Sequence, residues 1–202
     1  PNPPPLEYGC TYHIYNRGTN GTDLFPEQRN YPFFLERYAR YIEPVAETYA
    51  YCLLKNHFHI LVRVRLPEEQ EALAAADGPH RPFKLRAASR QFANLFAGYA
   101  MSFNKTYRRT GSLFEHPFRR KMVSSERYLM ALVAYIHRNP QHHGLLDDFR
   151  QWPFSSYGAI LSTLPTRLQR EEVLAWYGGV QGFVAAHEVV RKDEELEGLW
   201  LE

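Results

Sequence analysis

At 202 residues the chain is long enough for one domain with a real core and a small appendage. Hydrophobic residues make up 45% of it, which argues against wholesale disorder, and a formal net charge of +2 does not by itself announce nucleic acid. The kind of base says more: of 24 Lys and Arg, only Lys55, Lys84, Lys105, Lys121 and Lys192 are lysine, and the others carry the planar guanidinium fork that suits phosphate and base edges.

The two cysteines, Cys10 and Cys52, lie far apart and form no metal-type pair, so they read as reduced thiols of a cytoplasmic protein. No apolar run approaches the length of a membrane span, and there is no basic-then-apolar leader. The expectation is a soluble protein with no membrane partner.

In chain order, "PNPPP" is extended. Residues 10–16, "CTYHIYN", are strand-forming and end at the turn signal Arg17-Gly18. From Asn30 to Ile42 apolar residues recur at three and four, which predicts a helix ending before Pro44. "TYAYCLL", "KN" and "HFHILVRV" read as a hairpin with Asn56 in the turn. In the second arm the period is two: Phe58, Ile60, Val62 and Val64 face one way, His57, His59, Leu61 and Arg63 the other. Residues 67–82 are acidic, then Gly/Pro-containing, and read as a surface loop.

Residues 83–107 carry Leu85, Ala88, Phe92, Leu95, Phe96, Tyr99 and Phe103 at helical spacing, a long amphipathic helix. "SLFEHPFRRKMV" reads as a strand in which Pro117 demands an edge position or a bulge. Ser125 caps "ERYLMALVAYIHRNP", a helix expected to end near Asn139 because Pro140 follows. After residue 145, "DDFRQWPFSSYGAIL" is turn-rich with Trp152 as an anchor, and "REEVLAWYGG" and "VQGFVAAHEVV" are short helices.

The order strand, helix, strand, strand, helix, strand, helix predicts an α+β fold. Its form is a ferredoxin-like, RRM-like antiparallel sheet with helices mainly on one face, plus a C-terminal helical extension. Residues 1–144 would form the main domain and 145–202 the extension.

His57 and His59 project in parallel from one strand face, about 7 Å apart at the backbone, so their imidazoles can converge on one ion. Alone, the pair also fits core histidines satisfied by hydrogen bonds. On the helix, Leu129, Leu132, Val133 and Ile136 form the core stripe, while Tyr135 and Asn139, four apart, share a neighbouring face. From Lys105 to Lys121 six basic residues (Lys105, Arg108, Arg109, Arg119, Arg120 and Lys121) face one acid, Glu115. Tyr107, Phe114 and Phe118 are interleaved with them. That suits phosphate neutralisation with stacking on unpaired bases, and equally a solvated loop with core aromatics. Arg17 and Arg127 are further basic candidates.

The His-x-His strand followed by a helix with Tyr-x-x-x-Asn resembles the HUH single-tyrosine transposases of the insertion-sequence type, most closely the REP-associated tyrosine transposases. The stretches that carry the likeness are "YHIYNRG", "LLKNHFHILV", "RRTGSLFE", "YIHRNP" and "WPFSSY", within roughly residues 8–160, and "EEVLAWYGG" resembles the tail of longer members. The usual Asn-Pro-x-Arg is here Asn139-Pro140-Gln141-His142, so one expected arginine is missing.

The resemblance implies a metal-dependent endonuclease and strand transferase for single-stranded DNA carrying a hairpin. His57 and His59, with Asn139 as third ligand, would hold a divalent ion, Mg2+ or Mn2+; histidine ligands favour the softer manganese. Tyr135 would attack the scissile phosphate, leaving a 5′-phosphotyrosine and a free 3′-hydroxyl. His13 borders this site only if the first strand neighbours the His57 strand, and a structural role is its plainer reading. The alternatives are a catalytically silent hairpin or single-strand nucleic-acid-binding module, and a metal hydrolase without a covalent intermediate. Both a monomer and a homodimer fit, and the acidic end "RKDEELEGLWLE" reads as a solvated helix rather than a cover for the basic surface.

Overall fold

A computed structural model describes residues 4–76, 78 and 83–189; the acidic end from Arg191 lies outside them. Four strands, β1 (Thr11–Arg17), β2 (Ala46–Leu53), β3 (His57–Val64) and β4 (Arg119–Met122), form one sheet in the order β2-β3-β1-β4. All pairings are antiparallel. With α1 (Asn30–Ile42) connecting β1 to β2 and α3 (Ala88–Thr106) connecting β3 to β4, this is the expected ferredoxin-like α+β arrangement.

The period-two pattern of β3 places its residues as expected. Phe58, Ile60, Val62 and Val64 join Tyr12 and Ile14 of β1 under α1 and α3, packed on Phe34, Ile42, Phe92, Leu95, Phe96 and Tyr99. Leu61 faces the opposite way, into a second core with Cys52 and with Leu132, Val133 and Ile136 of α4 (Glu126–His142). The two crossover helices therefore share one face, while α4 and the segment after it cover part of the other. A β-bulge between Thr48 and Ala50 shifts the alternation along β2. Thr48 bonds Tyr38 of α1 at 2.7 Å, but both Tyr49 and Ala50 point into the α4 core, because one extra residue resets the alternation.

The chain after α4 closes the outer edge of β2. Leu53 donates to Phe154 at 2.9 Å, Ser156 to Tyr51 at 2.9 Å, and Gln169 to Thr48 at 3.0 Å. Backbone groups that an edge strand would leave open are thereby paired. Trp152 donates to Leu53 O at 2.9 Å, and Phe154 stacks on Tyr31 at 3.5 Å between ring centroids. Helices α5 (Tyr157–Leu161), α6 (Arg170–Trp176) and α7 (Val180–Glu188) then add Tyr157, Ile160, Val173 and Phe183 to the α4 core. The other edge, β4, is short, and its sequence "RRKM" discourages further pairing by charge.

Four expectations are corrected. The helix expected over 83–107 starts only at Ala88, which leaves Leu85 exposed ahead of it. Residues 67–76 are not loop but helix α2 (Pro67–Ala76): Pro67 suits a first turn, and Glu69 accepts from Leu66 N at 2.7 Å and from Arg63 at 2.7 Å. Its buried Gln70 accepts from Arg86 N and donates to Arg86 O, both at 3.2 Å. The strand expected over 112–123 shrinks to four residues, because Pro117 has no N–H to offer a ladder. Helix α4 does not stop at Asn139 but runs through Pro140 to His142. One helical bond is lost at the proline, yet Asn139 O still accepts from His143 N at 3.0 Å and Pro140 O from Leu145 N at 2.9 Å. Gly144, at φ 65°, ends the turn. Among the described residues no helix is long and apolar enough to cross a membrane.

Candidate active site

The site is built where the α4 face of the sheet meets the end of α4. β3 presents His57 and His59, β1 presents His13, Tyr15 and Arg17 from the adjacent strand, and β4 adds Arg119 opposite Tyr15 and Lys121 opposite His13. α4 brings Tyr135 edge-on to His59, with 5.5 Å between ring centroids, and to His13 at 6.4 Å. One turn on, Asn139 Oδ1 is 3.4 Å from His57 Nε2. The four residues singled out in the sequence, His57, His59, Tyr135 and Asn139, are thus brought to one place within a single chain, although some eighty residues separate the strand from the helix.

The imidazoles are held neutral. Burial pushes the His57 pKa down to about 4, helped by His143. Burial likewise holds His59 well below the ordinary range, with His13 and His57 adding repulsion, and takes His13 down to about 3. A neutral ring has a lone pair to donate, which is what a metal ligand needs; the same shifts make these rings poor general bases.

Their orientations are also set. His57 Nδ1 is 2.8 Å from Asn56 Oδ1, which can only accept, so Nδ1 carries the hydrogen and Nε2 keeps its lone pair. Nε2 then faces the Asn139 carboxamide at 3.4 Å, and Asn139 Nδ2 is buried without a hydrogen-bond partner. An imidazole nitrogen with a free lone pair beside a carboxamide that can turn its oxygen toward it is a donor set that fits a divalent ion with mixed nitrogen and oxygen ligands. His59 Nδ1 lies 3.0 Å from His13 Nε2, leaving its Nε2 as the other candidate nitrogen. Among the described residues no group of three or more His, Cys, Asp or Glu forms a metal cage. An ion here would depend on the two histidines, Asn139 and oxygens of a substrate.

A cleft of about 180 Å3 opens onto the histidines, lined by Tyr15, Asn16, Arg17, Asn56, His57, His59, Arg119 and His143. Tyr135, 3% exposed, lies behind this opening rather than on its wall. Arg17 and Arg119 flank it and share Glu115, at 2.5 and 3.5 Å. Arg119 also reaches over the Tyr15 ring at 6.0 Å, and Lys121 lies over Tyr128 at 4.7 Å.

The basic stretch from 105 to 121 is not one surface. Arg17, Arg119 and Lys121 share the histidine face; Arg120 points to the α3 side, where it donates to Pro4 O at 3.0 Å and covers Phe118 at 4.0 Å. Arg109 braces its own turn through Asn104 and Ser112, both at 3.0 Å. Lys105 and Arg108 are exposed at the end of α3. The interleaved aromatics do not offer stacking platforms: Phe114 and Phe118 are buried against Phe96, and Tyr107 is tied to Glu27 at 2.7 Å and to Asn30 at 3.0 Å. Core packing took them because the long helix α3 offers an aromatic face.

From sequence alone a structural role is the plainer reading of His13, and Tyr15, Asn56 and His143 carry no functional signal of their own. The parity of β1 could have found the first two, since His13, Tyr15 and Arg17 alternate onto one face. His143, 4.7 Å from His57 between ring centroids, was hidden by the expectation that Pro140 ended the helix.

A relative from Haemophilus influenzae (strain ATCC 51907 / DSM 11121 / KW20 / Rd), provisionally named a REP-associated tyrosine transposase, is 28% identical over 114 residues. The match covers 55% of this chain and 58% of the relative, so this chain spans a little over half of that protein's length. A solved structure of a REP-associated tyrosine transposase bound to a REP hairpin superposes with a TM-score of 0.61 at 14% identity, covering 82% of this chain and 88% of that one. At that identity the likeness is one of fold. No family model matches the chain. Both similarities fall in the family that the sequence resembles.

Proposed function

We propose that the chain is a tyrosine-nucleophile transesterase that cleaves and rejoins single-stranded DNA beside a hairpin, as a REP-associated transposase would. The observation that carries this reading is the meeting of Tyr135 and Asn139 from α4 with His57 and His59 from β3 inside one chain. The two comparisons support it by family and by fold.

In this reading Arg17, Arg119 and Lys121 neutralise the phosphates of a strand laid across the cleft. Tyr135 Oη attacks the scissile phosphorus as the 3′-oxygen leaves, and the chain stays joined to the 5′-phosphate through tyrosine. That linkage keeps the phosphodiester energy, so a 3′-hydroxyl can reverse the step without a nucleotide cofactor. His57, His59 and Asn139 would hold a divalent ion, Mn2+ or Mg2+, whose charge would polarise the phosphate oxygens. Tyr135 and the histidines of the same chain are already together, which favours action in cis and makes a monomer sufficient.

The buried position of Tyr135 favours a second reading, a silent module that binds hairpins without cutting them. One experiment separates the two. Purified protein is incubated with a labelled hairpin oligonucleotide and Mn2+ and run on a denaturing gel. Wild type should give a covalent band that EDTA suppresses, and Tyr135→Phe should abolish the band while hairpin binding persists. A band retained by Tyr135→Phe would remove Tyr135 as nucleophile. Binding by wild type with neither adduct nor cut DNA would establish the silent module, and cut DNA without adduct a metal hydrolase.

A further inference from the structure

A second polar cluster lies behind the site, on the far side of α4, and has no part in the chemistry above. His137, between Tyr135 and Asn139 in sequence, is fully buried, as are Ser156 and His187. His137 Nδ1 is 2.8 Å from His187 Nε2, and His137 Nε2 is 2.7 Å from Ser156 Oγ. His187 Nδ1 is 2.7 Å from Phe183 O, and Tyr51 N donates to Ser156 Oγ at 2.8 Å.

The hydrogens follow from one fixed point. Phe183 O is a carbonyl and only accepts, so His187 Nδ1 donates and its Nε2 accepts. His137 Nδ1 must then donate to His187, and His137 Nε2 accepts from the Ser156 hydroxyl, whose oxygen accepts from Tyr51 N. The chain Tyr51 N–H, Ser156, His137, His187, Phe183 O is complete, directional and neutral throughout. Arg138 fastens the same place by donating to His187 O. The chain joins β2, the start of α5, α4 and α7, and it grips α4 between the two residues that face the histidine pair.

We infer that His137, Ser156 and His187 are positioning residues: they set the rotation of α4 and so hold Tyr135 and Asn139 against His57 and His59. An apolar contact has no preferred direction, whereas a chain of hydrogen bonds at 2.7–2.8 Å on both ring nitrogens of His137 ties the helix to one orientation. Through this chain the segment after residue 145 takes part in the site without touching it. The inference rests on the proposed transesterase reading.

The test compares His187→Phe, which keeps a ring among Phe149, Tyr157 and Phe183 but removes both hydrogen bonds, and Ser156→Ala, a smaller change that folds if the first does not. Val173→Ala is the control, since Val173 is fully buried in the same segment but lies outside the chain. Ser156→Thr is the rescue, because it keeps the hydroxyl. Hairpin affinity, melting temperature and the single-turnover rate of adduct formation at saturating hairpin and Mn2+ are measured for each. His187→Phe and Ser156→Ala should slow adduct formation by about tenfold or more with affinity little changed, since small misplacements of reacting groups are costly. Ser156→Thr should recover most of the rate, and Val173→Ala should lower the melting temperature while keeping it. If the two chain variants lose no more rate than Val173→Ala at matched loss of melting temperature, the positioning role is overturned. If wild type itself forms no adduct, the transesterase reading falls and this inference with it.

Discussion

Within the site, the same residue types do different work according to what surrounds them. Arg17 and Arg119 both pair with Glu115 in ion pairs at a largely exposed surface. Such pairs add little stability, of the order of 0–1 kcal/mol, and a phosphate can compete for either arginine. Arg109, three residues past the end of α3, is instead engaged by Asn104 and Ser112. Arg17→Ala or Arg119→Ala should therefore weaken hairpin binding and reduce the slope of log affinity against log salt by about 1. Arg109→Ala should leave that slope alone and cost about 1 kcal/mol of stability through the lost turn bonds. Salt titrations and urea unfolding of the three variants read both effects. The histidines obey the same logic: the Asn56 contact of His57 and the His13 contact of His59 commit particular ring nitrogens to the site.

At the level of elements, α4 links the sheet, the site and the C-terminal segment. Its Leu132, Val133 and Ile136 are fully buried against β2, β3 and the later helices, and the flank away from Tyr135 and Asn139 carries the hydrogen-bond chain through His137. Leu132→Ala should cost about 2–5 kcal/mol, the usual range for a cavity in a closed core. Equilibrium urea unfolding would measure it as a lower midpoint with the slope unchanged; a loss under 1 kcal/mol would mean that α4 is not part of the cooperative core. Pro140 removes one helical bond, but the helix continues because the flanking carbonyls still find donors at His143 and Leu145. That continuation carries His143 to the cleft.

Across the whole molecule, burial of neutral histidines couples stability to pH. The His187 pKa is pushed down to about 4 and that of His13 to about 3 by burial, and His59 and His137 are held well below the ordinary value. The unfolded chain takes up these protons near pH 6.5, whereas the folded chain refuses them until far lower pH. Stability is therefore complete above about pH 6.5 and is lost progressively as pH falls toward 4. Melting temperatures between pH 7.5 and 4.5 should drop on the acid side, and His187→Phe should flatten part of the drop. A melting temperature constant over that range would mean that these rings are not buried neutral. The segment 154–169 adds to the same whole by covering the β2 edge, which makes the sheet a closed surface on that side.

The strand parity of "HFHILVRV" was legible from the residues alone, because a period of two leaves only one way to bury Phe58, Ile60, Val62 and Val64 together. Equally legible were the shared face of His57 and His59, the one-turn spacing of Tyr135 and Asn139, and the antiparallel α+β sheet built from alternating strands and helices. Local rules failed where long-range packing outweighed them: α2 has a thin apolar face and depends on the Arg63 and Arg86 contacts, and Pro140 is tolerated inside α4. Phe114 and Phe118 were claimed by the α3 core rather than left for bases. Long-range packing set the rest: β1 neighbours β3, which brings His13 to His59, and α4 crosses the other face of the sheet, which brings Tyr135 to the pair. The physical reason is that periodicity fixes which way a side chain points from its own element, whereas the partner it meets depends on how distant elements bury their remaining apolar surface.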